Sequence, residues 1–184
     1  MIDPSATMVV VSHSIRIRAP VERVFALVSD PATRSELSPN LRSLRAEIEG
    51  GGPLKAGSVC HFRQQTGDRI LDYHTRVLEF EPPRRIVSVS DSTVPFTVRI
   101  ETEPDPAGTH LTQTETFEPT EAMIEQALPN TATNLAMRLA YRIMLLLDLD
   151  SARRLREQQE EALARELEPN MERWLTAIKT RLER

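Results

Sequence analysis

The sequence predicts an α+β fold in which a seven-stranded antiparallel sheet wraps around one long C-terminal helix. Val9 to Arg18 reads as the first strand, alternating apolar and polar from Ser12 through Ile17 as a half-buried strand does, and the spacing turns helical at Pro20. Six further strand-length runs follow, bounded by Gly, Pro and Asn clusters. At the other end, Leu163, Leu167, Met171, Trp174, Leu175, Ile178 and Leu182 recur three or four residues apart. A curved sheet gripping an amphipathic helix leaves a cavity between the two, which points to a ligand that is small and mostly apolar.

Each element has a local cause. Pro20 suits the first position of a helix, where its missing N–H would be unpaired in any case, and that helix is expected to reach Ser29. Asp30-Pro31 reads as the cap and first residue of a short helix ending near Leu37, and Ser38-Pro39-Asn40 breaks it. A second strand covers Leu44 to Glu49, the run Gly50 to Pro53 is a turn, and Gly57 opens the third strand. Thr66-Gly67-Asp68-Arg69 has the form of a two-residue hairpin loop with Gly at the first central position. That loop sets His61 opposite His74, Arg63 opposite Asp72 and Val59 opposite Arg76 on one face. It sets Cys60 opposite Thr75, Phe62 opposite Tyr73 and Gln64 opposite Leu71 on the other. The second set is the more apolar and is expected inside, so the two histidines become an outer cross-strand pair beside an Arg63–Asp72 ion pair.

The next hairpin is expected to turn near Ser92-Thr93, with Val87, Val89, Phe96, Val98 and Ile100 sharing the inner face. In the seventh strand the set Leu111, Gln113, Glu115 and Phe117 is expected inside. Pro119 ends the sheet. Helices over about 121–149 form an insertion before the final helix, which Asp150 can cap and which Pro169 is expected to kink.

Composition removes several functions. The 184 residues fit a single domain, 1–184, and the net charge of −4 with no Lys/Arg block gives no electrostatic footprint for nucleic acid. Cys60 is the only cysteine, so no internal disulfide forms, and Met1 to Thr7 lacks a signal-peptide pattern; the cytoplasm is the expected location. Leu135 to Leu149 is Leu/Met/Ala-rich but too short to span a bilayer, which takes about 20 apolar residues, and it carries Arg138 and Arg142. It reads as a helix packed on the domain or on a second copy, giving a homodimer through 131–147, with a membrane-surface helix as the alternative. The four histidines lie on different strands without metal-site spacing, and Gly50-Gly51-Gly52-Pro53 lacks the Lys-Ser/Thr of a phosphate loop. No metal and no cofactor is therefore expected.

Ile15 to Phe25 with Ala19-Pro20 and Val24-Phe25, then Asp30-Pro31, Glu79 to Ile86 around Pro82-Pro83, and Gly108-Thr109-His110-Leu111-Thr112 occur in an order that resembles the SRPBCC, or START-like, superfamily in its polyketide cyclase/dehydrase and lipid-transport branch. The resemblance covers roughly residues 8–118 and 155–184. It implies a helix-grip fold with an internal apolar cavity, and a membership that includes lipid carriers, aromatase/cyclases, hormone receptors and chaperone activators. These share no one set of catalytic residues, so no active site carries over. The position near Leu37 often holds Trp in such proteins, and the helical insertion is a second departure.

Candidate site residues follow from the expected inner face: Phe62, Gln64, Tyr73, Val89, Phe96, Val98, Gln113 and Glu115 as ligand contacts. For acid/base chemistry the candidates are His13, Glu115 and Tyr73. Pairing strand one with strand seven, as the resemblance implies, allows His13 opposite Glu115 and Ile17 opposite Leu111; burial and a charged neighbour would bring such a pair toward neutral pKa values. A structural hydrogen-bonded pair is the plainer reading, as core packing is for Tyr73 and space filling for Cys60. The main functional reading is a binder of a hydrophobic, lipid- or polyketide-like molecule. An aromatase/cyclase-type enzyme is the alternative, and a protein-interaction module using an exposed Leu135–Leu147 stripe is the third.

Overall fold

The computed structural model describes residues 8–39, 41–120 and 149–184, with backbone alone at 149–160, 162 and 166. Its elements are β1 (Val9–Ile17), α1 (Val21–Val28), α2 (Pro31–Glu36), β2 (Arg42–Ile48), β3 (Val59–Thr66), β4 (Arg69–Glu81), β5 (Arg85–Ser90), β6 (Phe96–Asp105), β7 (Gly108–Phe117) and a C-terminal helix, α3 (Leu149–Leu182). The seven strands form one antiparallel sheet in the order β1-β7-β6-β5-β4-β3-β2. The expected helices over about 121–149, and with them the lid, dimer-contact, membrane-surface and protein-module readings, fall outside the described residues apart from Leu149. Among the described residues no helix is long and apolar enough to cross a membrane.

Helix α3 lies in the concave face of the sheet. Leu163, Met171, Leu175, Ile178 and Leu182 are buried against Val9, Val11, Ile17, Val98, Ile100, Leu111 and Phe117, and α1 closes the core with Val24, Phe25 and Val28. Pro169 lies within the continuous helix. The entry into α1 is tied down by β7. Thr109 Oγ1, fully buried, donates to the Ala19 carbonyl at 2.7 Å. Gly108 (φ +144°) passes so near that a Cβ there would sit 2.1 Å from the Ile17 carbonyl oxygen. Asp30 caps α2 as expected, accepting from the Ala32 N–H at 3.1 Å.

The β3–β4 hairpin has the register its two-residue loop dictates, with Thr66 closing on Arg69, Phe62 opposite Tyr73 and His61 opposite His74. Two other registers correct expectation. In the β5–β6 hairpin Ile86 faces Ile100 and Ser88 faces Val98, which centres the loop on Thr93 rather than between Ser92 and Thr93. Side chains alternate with period two, so this small change turns β5 over: Ile86, Ser88 and Ser90 point inward, and Val87 and Val89 do not. Strands β1 and β7 pair with Val11 opposite Glu115, His13 opposite Gln113 and Ile15 opposite Leu111, two residues from the expected alignment. The inner set is unchanged, but His13 and Glu115 are no longer partners. The contacts of Gly108 and Thr109 with residues 17–19 fix that end of the ladder, and hydroxyl pairs Ser12–Thr114 (2.9 Å) and Ser14–Thr112 (2.8 Å) match the same register on the outer face.

Candidate ligand cavity

The concave face is not filled along its whole length. Between α2, the β3–β4 and β5–β6 hairpins, β7 and the middle of α3 lies an open-mouthed cavity of about 860 Å³, within the range of about 300–1,000 Å³ typical of small-molecule sites. Val11, Phe62, Phe96, Val98, Phe117, Met171 and Trp174 supply its apolar wall, and Arg34, Ser35, Gln64, Tyr73, Gln113 and Glu115 its polar groups. Aromatic contacts stiffen the wall: the Tyr73 ring stacks on Phe62 at 5.5 Å and meets Phe96 edge-on at 5.7 Å.

Seven of the eight expected ligand contacts line this cavity. Val89 does not. The reversed face of β5 puts it on the convex side, in a shallow groove with Glu49, His74 and Asp91. His13 also stands apart. It points inward but lies under α3, with Nδ1 3.7 Å from Glu168 Oε1, and it is not part of the cavity wall. Tyr73 is inside, but its proton is engaged: Oη donates to Gln64 Oε1 at 3.2 Å, Gln64 Nε2 donates to Ser35 Oγ at 2.8 Å, and Ser35 Oγ donates to Ser43 Oγ at 2.9 Å. Burial chiefly, with Glu115 adding to it and Arg34 opposing it, pushes the Tyr73 hydroxyl up to about 12. It is an orienting group rather than an acid near neutral pH.

Glu115 has the perturbed environment of a functional carboxyl. Burial raises its pKa, while the hydrogen bond from Gln113 Nε2 at 2.6 Å and the Arg34 charge oppose the rise. Its partner is therefore its neighbour two residues along the same strand, not His13.

Arg34 is the residue that sequence reasoning missed. It belongs to α2, a six-residue helix of sequence PATRSE that gives no periodic signal of its own. Tertiary packing turns its guanidinium into the cavity, 5.8 Å from the centre of the Phe62 ring. Its backbone carbonyl accepts the Trp174 indole N–H at 3.1 Å, so α3 itself holds α2 in place. Burial lowers the Arg34 pKa, against the raising influence of Tyr73, Cys60 and Glu115, but a guanidinium stays charged in proteins. Cys60 is buried behind the wall, with its thiol pushed up by burial, as a space filler would be.

On the outer face, His61 and His74 stack at 4.5 Å. His61 Nε2 lies 2.6 Å from Asp72 Oδ1, and Arg63 Nε lies 3.8 Å from Asp72 Oδ2. The Asp72 carboxyl is held below the usual carboxylate range, first by the His61 hydrogen bond. His74 stands between Glu49 (3.4 Å) and Asp91 (3.3 Å).

A helix-grip sheet with an apolar cavity bearing a few polar groups defines a class of small-molecule-binding domains. The family described as polyketide cyclase / dehydrase and lipid transport matches residues 8–150, and the chain belongs to that family. The description of that family covers polyketide cyclase, dehydrase and lipid-transport roles. Among solved structures it is similar to the di-domain ARO/CYC StfQ from the steffimycin biosynthetic pathway, with 14% identity and a TM-score of 0.65 over 96% of this chain and 51% of that one. This chain thus spans about half the length of StfQ. It is also similar to the Zhui aromatase/cyclase from Streptomyces sp. R1128, with 17% identity and a TM-score of 0.61 over 96% of this chain and 94% of that one. A third similar structure, SA2116 from Staphylococcus aureus, a protein of unknown function, shows 10% identity and a TM-score of 0.63 over 99% of this chain and 100% of that one. At such identities the likeness concerns the fold. No curated protein matches the chain by sequence.

Proposed function

We propose that the chain binds a small hydrophobic molecule, lipid- or polyketide-like, in the cavity between its sheet and C-terminal helix. The observation that carries this reading is the cavity itself: about 860 Å³ with a wall of Phe, Val, Met and Trp side chains, beside a core of buried apolar residues. Burying about 400 Å² of apolar ligand surface contributes roughly 10 kcal/mol. Loss of rotational and translational freedom takes back much of that, roughly 4–15 kcal/mol, so the polar groups in the wall decide how tightly and in which orientation a ligand sits. The single cysteine is the ground for reading the protein as cytoplasmic. Native mass spectrometry of the purified protein, followed by organic extraction, tests the proposal. A bound lipid or aromatic compound supports it. Failure of every apolar compound in a broad titration to bind would remove it.

A second reading, an aromatase/cyclase-type enzyme, is favoured by one observation: a desolvated carboxyl, Glu115, oriented by Gln113 in the same cavity as Arg34. In that reading the wall folds a reactive chain into one conformer, and Glu115 moves the proton in enolisation and loss of water. Glu115→Gln keeps the shape of the site and leaves binding nearly intact. It abolishes turnover of a poly-β-ketone substrate if Glu115 is the acid/base, whereas unchanged turnover removes Glu115 from the chemistry.

A further inference from the structure

The polar groups of the cavity fall into two sets. Tyr73, Gln64, Ser35 and Ser43 satisfy one another in a chain of hydrogen bonds. Arg34 and Gln113 stand outside that chain, and both line the cavity. Among the described residues the Arg34 guanidinium has the Phe62 ring beside it and no direct hydrogen bond or close ion pair, and Glu115 acts on its charge only across the cavity. Gln113 is 6% exposed, and its Oε1 is buried without a donor while its Nε2 is spent on Glu115. Leaving a buried acceptor unmet costs free energy, and both groups belong to the wall of one cavity.

Their chemistry specifies complementary groups. A guanidinium offers five donors in a planar fork, accepts nothing and matches a carboxylate bidentately. Arg34 is the single cation among the described lining residues, so one negative charge is what it neutralises; a phosphate dianion would remain partly uncompensated among apolar side chains. The orphan Gln113 oxygen can only accept, so it calls for a hydroxyl on the ligand.

We infer that the ligand of this cavity is an amphipathic hydroxy acid, with its carboxylate on Arg34, its hydroxyl donating to Gln113 Oε1 and its apolar chain along Phe62, Phe96, Val98 and Met171. The inference rests on the reading of the cavity as a hydrophobic-ligand site. Glu115 also faces this polar end. Its desolvation favours the neutral acid, which limits its repulsion of an incoming carboxylate, and Arg34 acts on both.

Isothermal titration calorimetry of the full chain with dodecanoic acid, its methyl ester and β-hydroxydodecanoic acid tests this. The acid is expected to bind about tenfold more tightly than the ester, since a charge-assisted hydrogen bond is lost in the ester, with a further gain for the hydroxy acid. Arg34→Met brings the acid down to the affinity of the ester, Arg34→Lys restores part of the difference, and Gln113→Leu removes only the gain due to the hydroxyl. Equal binding of acid and ester, or a preference for the acid that survives Arg34→Met, would overturn the hydroxy-acid inference while leaving the hydrophobic-ligand reading in place. Failure of all three to bind overturns the hydroxy-acid inference, and the broad titration of apolar compounds then decides the hydrophobic-ligand reading.

Discussion

The two faces of the sheet both carry polar side chains and treat them differently. On the convex face His61, Asp72, Arg63, His74, Glu49 and Asp91 pair with one another in contact with water. Such pairs are screened and contribute little to stability. On the concave face the polar groups are few and desolvated, and part of the set is left without a protein partner. The contrast separates structure from function. Charges that satisfy each other at the surface need no ligand, whereas an unmatched acceptor and an unmatched cation in an apolar cavity ask for one.

Substitutions can break or sharpen this contrast. The largest effect is expected where α3 is gripped. Leu175 is fully buried, and Leu175→Ala opens a cavity on the concave side costing about 2–5 kcal/mol, read as a lower midpoint in urea unfolding. A midpoint unchanged from wild type would mean that α3 does not fill the sheet as described. Phe96→Ala removes cavity wall rather than core and is expected to weaken apolar ligands about tenfold with a smaller loss of stability; retained affinity would put the ligand elsewhere.

Glu115→Gln sharpens the comparison through pH. The folded state raises the Glu115 pKa, so it holds the proton more tightly than the unfolded chain does. Stability from this group is then present below the ordinary carboxylate pKa and is lost as pH rises through the raised folded value. The variant removes that loss, so its Tm relative to wild type should climb between about pH 4 and pH 7. A constant difference would show that Glu115 is solvated. The smallest effect is expected on the convex side: His74→Ala leaves ligand affinity unchanged because His74 is no part of the cavity wall, and any substantial loss of affinity would show that the two faces are coupled.

How much was legible in the sequence varies with how each register is held. The β3–β4 pairing follows from four residues, because a two-residue loop admits one alignment and the apolar set then chooses the inner face. That placed Phe62, Gln64 and Tyr73 correctly. The β5–β6 loop is longer, and moving its centre from between Ser92 and Thr93 to Thr93 itself carried Val89 from the inner face to the outer. No turn joins β1 to β7, so their alignment rested on apolar content alone. Apolar content is equally satisfied two residues away, which is why His13 and Glu115 are not partners.

By itself, then, the chain determined the order of elements, the inner faces of β1, β3, β4, β6 and β7 and the apolar stripe of α3, because period and turn chemistry are local properties of the backbone. Only the tertiary structure decided that α2 turns Arg34 inward, that Gln64 consumes the Tyr73 proton, and that Gln113 rather than His13 holds Glu115. The placing of Arg34 depends on how α2 packs against the sheet and α3, far away in the chain. The other two contacts are short in sequence, across one hairpin and along one strand, but they are chosen by side-chain orientation inside the cavity, of which the backbone period carries no record.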